Sequence, residues 1–151
     1  MGRKGTRARD KAMQCETKQA GGREFRCFFE LSQMIIGGKW KPKILFYLGQ
    51  EEVLRFGELR DAINGVSEKM LIQQLRELEA DGIVHREVYR EVLPKVEYSL
   101  TPVGRTLIPI LETLFEWGKS YASYLVAGTE GGALAPGQIM EDIENRVAVR
   151  Q

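Results

Sequence analysis

The 151-residue sequence has few of the residues that build metal centres or disulfide frameworks. Its two cysteines, Cys15 and Cys27, lack the paired spacing of a zinc site, and the single histidine, His85, has no companions at metal-ligand spacing. No apolar run approaches the roughly 18 residues that a membrane helix needs, and no charged-then-apolar export leader is present. We therefore expect a cytoplasmic protein that carries no metal and no other cofactor.

Motifs of the common enzyme classes are also missing. The sequence has no glycine-rich phosphate loop, no nucleophile elbow and no paired-carboxylate arrangement. A thiol enzyme acting through Cys27 would need a neighbouring base and a paired-thiol motif, and the sequence contains neither. These absences predict a protein without catalytic activity.

What the chain does have is an uneven distribution of charge. In residues 1–26 eight basic side chains face three acidic ones, a net charge of +5, which leaves −4 for the rest of a chain whose total is +1. A basic arm of this kind either contacts nucleic acid or is a solvated leader, and the sequence leaves both interpretations open. We assign residues 1–24 to a basic, flexible arm.

Hydrophobic periodicity predicts the order of the elements that follow the arm. Apolar residues recur with helical spacing in five segments and alternate in two. Helices are expected at 25–36, 39–48, 56–63, 68–80 and 102–125, and strands at 83–89 and 95–100 around a hairpin tip at 90–94. Pro109 is expected to kink the last helix. The domain then spans residues 25–126, and residues 127–151 are a tail, either a weak helix or disordered.

The middle of this order is a winged helix-turn-helix. A short helix, the tight turn Asn64-Gly65 and a longer amphipathic helix form the helix-turn-helix, and the hairpin after them forms the wing. The predicted fold is therefore mainly α with a small two-stranded β-wing. The outward positions of the fourth helix include Lys69, Gln73 and Arg76, side chains that contact base edges and phosphates in the major groove.

The last helix is more apolar than one domain core requires. Its apolar residues include Leu111, Leu114, Trp117 and Tyr121. One stripe can cover the core of the same chain, and the excess predicts a homodimer with these four residues in the dimer contact.

Four sequence blocks, in order, resemble the HxlR family of bacterial regulators, which is related to the MarR-type winged helices. The blocks are GGKWKP at 37–42, RFGELR at 55–60, SEKML at 67–71 with LRELEADG at 75–82, and PKVEYSLT at 94–101. The resemblance covers about residues 27–125. It implies N- and C-terminal dimerisation helices, with Phe28 and Leu31 contributed by the first, and a recognition helix that binds double-stranded DNA at a pseudo-palindromic operator.

The resemblance also implies where DNA is contacted. The positions that match the recognition helix are Ser67, Lys69, Gln73, Gln74 and Arg76, and Lys95 matches a basic position on the return strand of the wing. From the residues themselves we add Arg90 at the wing tip, and Lys39 and Lys41 as phosphate contacts. Ile72 departs from the family, which commonly has threonine there, so one hydroxyl contact to DNA is in doubt.

Cys27 lies at the start of the first helix, where many HxlR-type proteins carry a cysteine that in several of them senses oxidants or electrophiles. A helix N-terminus with Arg23 and Arg26 nearby favours the reactive thiolate, whereas Glu24 and Glu30 oppose it. The alternative is that Cys27 is a small buried apolar residue. A small-molecule effector is a further possible signal.

The sequence thus predicts a sequence-specific, dimeric DNA-binding transcriptional regulator, expected to be a repressor, at the nucleoid of a bacterial or archaeal cell. The alternative is a winged-helix module for protein interaction or dimerisation that does not bind DNA. That alternative would require an acidic or apolar outer face on the fourth helix.

Overall fold

The computed structural model describes residues 16–129 of the chain, with side chains described up to Leu125. The predicted mainly helical winged helix-turn-helix is confirmed. The elements in chain order are β1 Lys18–Ala20, β2 Arg23–Phe25, α1 Phe28–Ile36, α2 Lys41–Gln50, β3 Leu54–Arg55, α3 Phe56–Ala62, α4 Glu68–Ala80, β4 Val84–Tyr89, β5 Lys95–Leu100, α5 Pro102–Arg105 and α6 Ile108–Thr129.

The core lies between α2, α3, α4 and the wing strands. Its fully buried members are aliphatic: Ile44, Leu45, Leu48, Leu59, Ile63, Leu71, Leu75, Leu78 and Val84. Removing one such side chain from water contributes about 1.5–3 kcal/mol. The predicted amphipathic character of α4 is confirmed, because Leu71, Leu75 and Leu78 are at most 1% exposed.

Local signals set the limits of α4 and orient it relative to α3. The Ser67 hydroxyl caps α4 by accepting a hydrogen bond from the backbone N–H of Met70 at 3.2 Å. Gly65, in the turn between α3 and α4, has φ +82°, and Gly82, just after α4, has φ +69°. Glycine adopts this left-handed conformation without the steric cost of a side chain. The helix-turn-helix therefore follows from cap and turn residues visible in the sequence.

The wing has one strand more than predicted. β4 and β5 pair antiparallel from Val84↔Leu100 to Tyr89↔Lys95, as expected, around the tip at 90–94. Leu54 and Arg55 add β3 to the other side of β5, so the strand order is β3-β5-β4. A two-residue strand is too short to show an alternating pattern, which explains why the sequence predicted only two strands.

The prediction of one last helix kinked at Pro109 is wrong. The chain forms the short helix α5, a turn at Thr106 and Leu107, and then α6. In a continuous helix the Pro109 ring would clash with the carbonyl group of Arg105, four residues earlier. The helix therefore stops at Arg105 and restarts, which puts Pro109 in the first turn of α6, where proline is tolerated.

Part of the predicted flexible arm is an ordered hairpin. β1 and β2 pair through a turn at Gly21 and Gly22, whose φ angles are +57° and +75°. Phe25, at the end of β2, is buried. The strands have three residues each, too few to stand out as alternation. Residues 1–15 of the arm and residues 130–151 of the tail lie outside the described residues.

Two helix starts also differ from the prediction. α1 begins at Phe28 and not at Phe25, because β2 occupies residues 23–25. α2 begins at Lys41 and not at Lys39, because Gly38 has φ +95° and the helix only starts after Trp40. Within residues 16–129 no helix is both long and apolar enough to cross a membrane.

Candidate nucleic-acid interface

The exposed face of α4 carries the residues predicted to read DNA. Lys69, Gln73 and Arg76 are all exposed, and Ile72 beside them is 39% exposed. At about 100° per residue these side chains point away from the buried leucine stripe. Neither Lys69 nor Arg76 forms an ion pair with any other described residue. The face is therefore polar, with free positive charge at two positions.

The acidic residue at the start of α4 is paired with α3. Nη1 of Arg60 lies 2.7 Å from Oε1 of Glu68, and Nε of Arg60 lies 3.0 Å from Oδ1 of Asp61. The hydrogen bond to Glu68, followed by that to Asp61, raises the pKa of Arg60 above its ordinary value. This bridge partly cancels the negative charge of Glu68 next to Lys69.

Lys41 does not lie where the sequence placed it. The residue is only 7% exposed, and its Nζ lies 2.8 Å from Oε2 of Glu77 on α4. The other carboxylate oxygen, Oε1, accepts a hydrogen bond from Nε2 of Gln73 at 3.2 Å. Lys41, followed by Gln73, lowers the pKa of Glu77. The prediction that Lys41 contacts phosphate is therefore wrong: a buried ammonium group needs a partner, and Glu77 provides it.

Lys39 remains available at the start of α2. It is exposed, and its Nζ lies 4.5 Å from the centroid of the half-buried Trp40 ring. Lys43 approaches the same ring, with Nζ at 5.2 Å. Trp40 packs against the core, and its ring attracts two ammonium groups at this edge of the domain.

A cleft of about 360 Å³ separates α4 from the wing. Its walls combine aromatic and aliphatic side chains with charged ones: Phe56, Ile72, Leu75, Arg76, Glu79, Arg86, Val96 and Tyr98. Arg86 and Arg76 enter it from opposite walls, and Arg86 forms no ion pair within residues 16–129. Sequence reasoning missed Arg86. The period of two along the strand was the available signal, because Arg86 lies on the same face of β4 as Val84 and Val88.

Polar side chains on the opposite face of the wing pair with one another. Lys95 lies 3.1 Å from Glu97 and stacks on the Tyr89 ring at 4.3 Å, and the only histidine, His85, lies 2.9 Å from Glu87. Glu97, with smaller effects of burial and Glu87, raises the pKa of Tyr89. Lys95 is thus half-buried and paired, which makes it a weaker candidate for DNA contact than predicted.

Three further predicted contacts occupy less favourable positions for DNA contact. Arg90 is exposed at the wing tip, where its neighbours Val92 and Leu93 are also exposed and apolar. Gln74 is half-buried at the edge of α4, so it is less accessible than Gln73. Ser67 acts as the cap of α4, and its hydroxyl oxygen accepts from the backbone.

Comparison with known proteins gives the family of this architecture. The family model for the HxlR-like helix-turn-helix matches residues 35–125. The chain belongs to this family. YkvN of Bacillus subtilis (strain 168), an uncharacterized HTH-type transcriptional regulator, is 45% identical over 117 residues, which cover 78% of this chain and 98% of YkvN.

Two solved structures of HypR, a redox regulator, resemble this HxlR-family chain. The reduced form superimposes with a TM-score of 0.61 at 52% identity, covering 67% of this chain and 99% of HypR. The oxidized form has a TM-score of 0.58 at 56% identity, covering 62% and 96%. The predicted family, fold and class of helix-turn-helix transcriptional regulator are confirmed. These relatives are regulators rather than enzymes.

Apolar side chains form uncovered surface on both α1 and α6 of this HxlR-family chain. Phe28 is 68% exposed, and Leu114, Trp117 and Tyr121 are between 40% and 55% exposed. The Trp117 and Tyr121 rings stack with centroids 5.1 Å apart. Leu31 is half-buried. We call this surface the α1/α6 face.

Leu111 does not belong to the α1/α6 face. It is 4% exposed and packs in the core cluster with residues of α2 and α4. Its assignment to the dimer contact is therefore wrong. The apolar composition of the last helix could not show which of its turns faces the chain's own core.

Cys27 caps the N-terminus of α1. Its Sγ accepts a hydrogen bond from the backbone N–H of Glu30 at 3.3 Å, and the side chain is half-exposed. The Glu30 carboxylate in turn accepts from the backbone N–H of Arg26 at 2.6 Å. The thiol is therefore not a buried core residue. Cys15 lies outside the described residues.

Proposed function

We propose that this HxlR-family chain is a homodimeric repressor that binds a pseudo-palindromic operator with one α4 from each subunit. The observation that carries the proposal is the exposed row of Lys69, Gln73 and Arg76 on a helix anchored by three buried leucines. An α-helix about 10–12 Å across fits the roughly 12 Å wide major groove. Such a protein would act at the nucleoid, in the cytoplasm of a bacterial or archaeal cell.

The side chains suit distinct parts of a duplex. A glutamine such as Gln73 pairs bidentately with adenine, an arginine such as Arg76 with guanine, and Ile72 suits a thymine methyl group. Lys39 and Lys69 carry charge at positions suited to phosphate. A wing that extends past the edge of the major groove brings Arg86 and Arg90 to the backbone and the minor groove.

The α1/α6 face supports the dimer. Exposed aromatic residues stacked along one helix are typical of a surface covered by a partner, and a second copy covers it with closed two-fold symmetry. Two recognition helices related in this way contact half-sites about 34 Å apart, one turn of DNA. Binding at a promoter then blocks access of the transcription machinery.

Thiol chemistry at Cys27 is the proposed signal, with a small-molecule effector as the alternative. The half-exposed Sγ at the first turn of α1 lies in the positive field of a helix N-terminus, and α1 carries part of the α1/α6 face. HypR, the similar regulator, has been solved in reduced and oxidized forms. Modification at this cap would change the helix that takes part in the dimer.

The decisive experiment is titration of the full chain against duplex DNA from its own upstream region, at several salt concentrations. Selective binding with an affinity that falls steeply as salt increases supports the proposal, because neutralised phosphates release counterions. If no duplex from that region or from a random-sequence pool is bound, the proposal fails and the protein-interaction module becomes the better account.

The signal is tested with the same operator in the presence of diamide or a quinone. Cys27→Ser should bind with the affinity of the parent protein and ignore both compounds. Cys15→Ser is the matched control and should respond like the parent. A Cys27→Ser variant that still responds would exclude Cys27 as the sensor.

A further inference from the structure

The two oxygens of the Glu77 carboxylate link a buried lysine to a side chain on the exposed face of α4. Lys41 Nζ lies 2.8 Å from Oε2, and Gln73 Nε2 donates to Oε1 at 3.2 Å. Lys41 belongs to α2, whereas Glu77 and Gln73 lie one helical turn apart on α4, a spacing that brings side chains together. The chain of contacts therefore runs from the core to the outermost row of α4.

The Glu77 carboxylate determines which way round the Gln73 amide lies. An ionised carboxylate only accepts hydrogen bonds, so it must face the NH₂ group of the amide and not its oxygen. Lys41 favours the ionised form, since it lowers the pKa of Glu77. Rotation of the amide by 180° would bring two acceptor oxygens together. Gln73 thus presents its Oε1 and its second N–H to the outside.

The outward donor and acceptor of Gln73 match the major-groove edge of adenine. Adenine offers the N7 acceptor and the N6 donor in the major groove, and a glutamine with one free N–H and a free oxygen pairs with both. A freely rotating amide would lose rotamer entropy on binding and would also accept other donor and acceptor patterns. Holding the amide in advance therefore increases discrimination between bases.

We propose that Lys41 is a positioning residue for base recognition, which acts through Glu77 to hold the Gln73 amide in the orientation that reads adenine. This inference rests on the proposed DNA-binding function. Lys41 touches no base itself. The second lysine of α2, Lys43, stacks on Trp40 and makes no ion pair with any described residue of α4, so it serves as a matched control.

The test begins with an operator obtained for the full-length protein by selection from random sequence. Each base pair of a half-site is then substituted in turn, and affinities are measured for the parent, Gln73→Ala, Lys41→Met, Glu77→Gln and Lys43→Met. We expect Gln73→Ala to lose discrimination at one position, an A·T pair. Lys41→Met and Glu77→Gln should lose at least about fivefold in discrimination at that same position, which is the lower limit for a bidentate contact. Lys43→Met should keep the parent's discrimination at that position.

A double variant and the salt dependence of binding distinguish a positioning role of Lys41 from other roles. In the Gln73→Ala background, Lys41→Met should change discrimination no further. The salt slope of Lys41→Met should equal that of the parent, because no phosphate contact is removed. A uniform loss of affinity for every duplex, or a slope smaller by about one, would overturn the proposal.

Folding failure and failure of DNA binding give separate results. If Lys41→Met does not fold, as judged by circular dichroism, Glu77→Gln alone decides, since that side chain is 43% exposed. Unchanged discrimination in folded Glu77→Gln overturns the inference while the proposed function stands. A parent protein that selects no sequence at all removes both.

Discussion

Arg23 of the N-terminal hairpin forms an ion pair with Asp81, the residue that ends the recognition helix α4. The Asp81 side chain is 6% exposed and that of Arg23 is 37% exposed. The hairpin β1–β2 is thus tied to the end of the helix that we propose enters DNA. The hairpin leads directly to Cys27 and α1. The Arg23–Asp81 ion pair therefore connects the segment that carries the proposed sensor to the helix that we propose enters DNA.

The Arg23–Asp81 pair should stabilise the fold. Arg23→Ala leaves a mostly buried carboxylate without its partner, and we expect a loss of about 1–2 kcal/mol, reduced from the fully buried case because Arg23 is partly exposed. Gln19→Ala, which removes only an exposed hydrogen bond to Glu24 in the same hairpin, should stay within about 0.5 kcal/mol. Urea unfolding midpoints measure both, and equal midpoints for the two variants would contradict the assignment.

A close approach between α5 and the wing makes Gly104 sensitive to substitution. A Cβ at this position would lie 2.2 Å from the carbonyl oxygen of Ile83, which also accepts hydrogen bonds from Thr101. Gly104→Ala should therefore lower stability by about 1–3 kcal/mol. Gly57→Ala on α3, where the space is open, should be neutral or stabilising by up to about 1 kcal/mol. Thermal unfolding that ranks the two variants the other way would show that the α5–wing contact is misplaced.

Much of this fold follows from local sequence signals, and the exceptions share a cause. Helical periodicity predicted α4 at the bounds that Ser67 and Gly82 set, and alternation predicted β4 and β5. The strands at 18–20, 23–25 and 54–55 have two or three residues, and a pattern of period two cannot emerge from so few. β3 depends on pairing with β5, which is distant in sequence, and the locally paired hairpin β1–β2 contacts the rest of the domain through the Arg23–Asp81 ion pair.

Helix periodicity made the exposed residues of the candidate site predictable. Side chains that pair with residues distant in sequence were not predictable. Lys69, Gln73 and Arg76 lie on the exposed face, as their spacing from the leucines indicated. The prediction that Lys41 contacts phosphate was wrong because its partner, Glu77, is 36 positions away along the chain. Charge alone does not distinguish a lysine that binds phosphate from one that is neutralised inside the protein.

Replacing Arg76 and Arg86 by alanine should change DNA binding in different ways. Arg76 lies on the base-reading face, so Arg76→Ala should cost about 1–3 kcal/mol on the operator and relax discrimination at one position. Arg86 faces the cleft from the wing, so Arg86→Ala should weaken all duplexes equally and reduce the salt slope by about one. Fluorescence anisotropy titrations at several salt concentrations measure both quantities. The assignment fails if the two variants behave identically.

The carboxyl group of Glu77 should titrate below the ordinary glutamate range. Its pKa is lower in the folded chain than the ordinary value of 4.5, so the contact with Lys41 stabilises the fold above that pH and is lost as the pH falls through the folded pKa. Carbon-detected NMR of the side chain gives the midpoint directly. Lys41→Met should move this midpoint upward, since Lys41 is the largest cause of the shift. An unchanged midpoint in that variant would contradict the pairing.

The α1/α6 face should form the contact of the proposed dimer. Trp117→Glu places a charge among its exposed rings and should yield a folded monomer in light scattering. Val103→Glu, at an exposed apolar residue on α5, is the control and should leave the mass unchanged. A dimer that persists in Trp117→Glu would show that another surface joins the subunits.

We expect α4 to bind DNA as one half of a symmetric pair. Selection from a random duplex pool with the full-length protein tests it most directly, followed by affinity measurements for Gln73→Ala and Arg76→Ala on the selected sequence. We predict enrichment of a pseudo-palindrome with half-site centres about 10 base pairs apart, and loss of selectivity in both variants. No enrichment, or an operator that both variants bind as the parent does, would contradict the account.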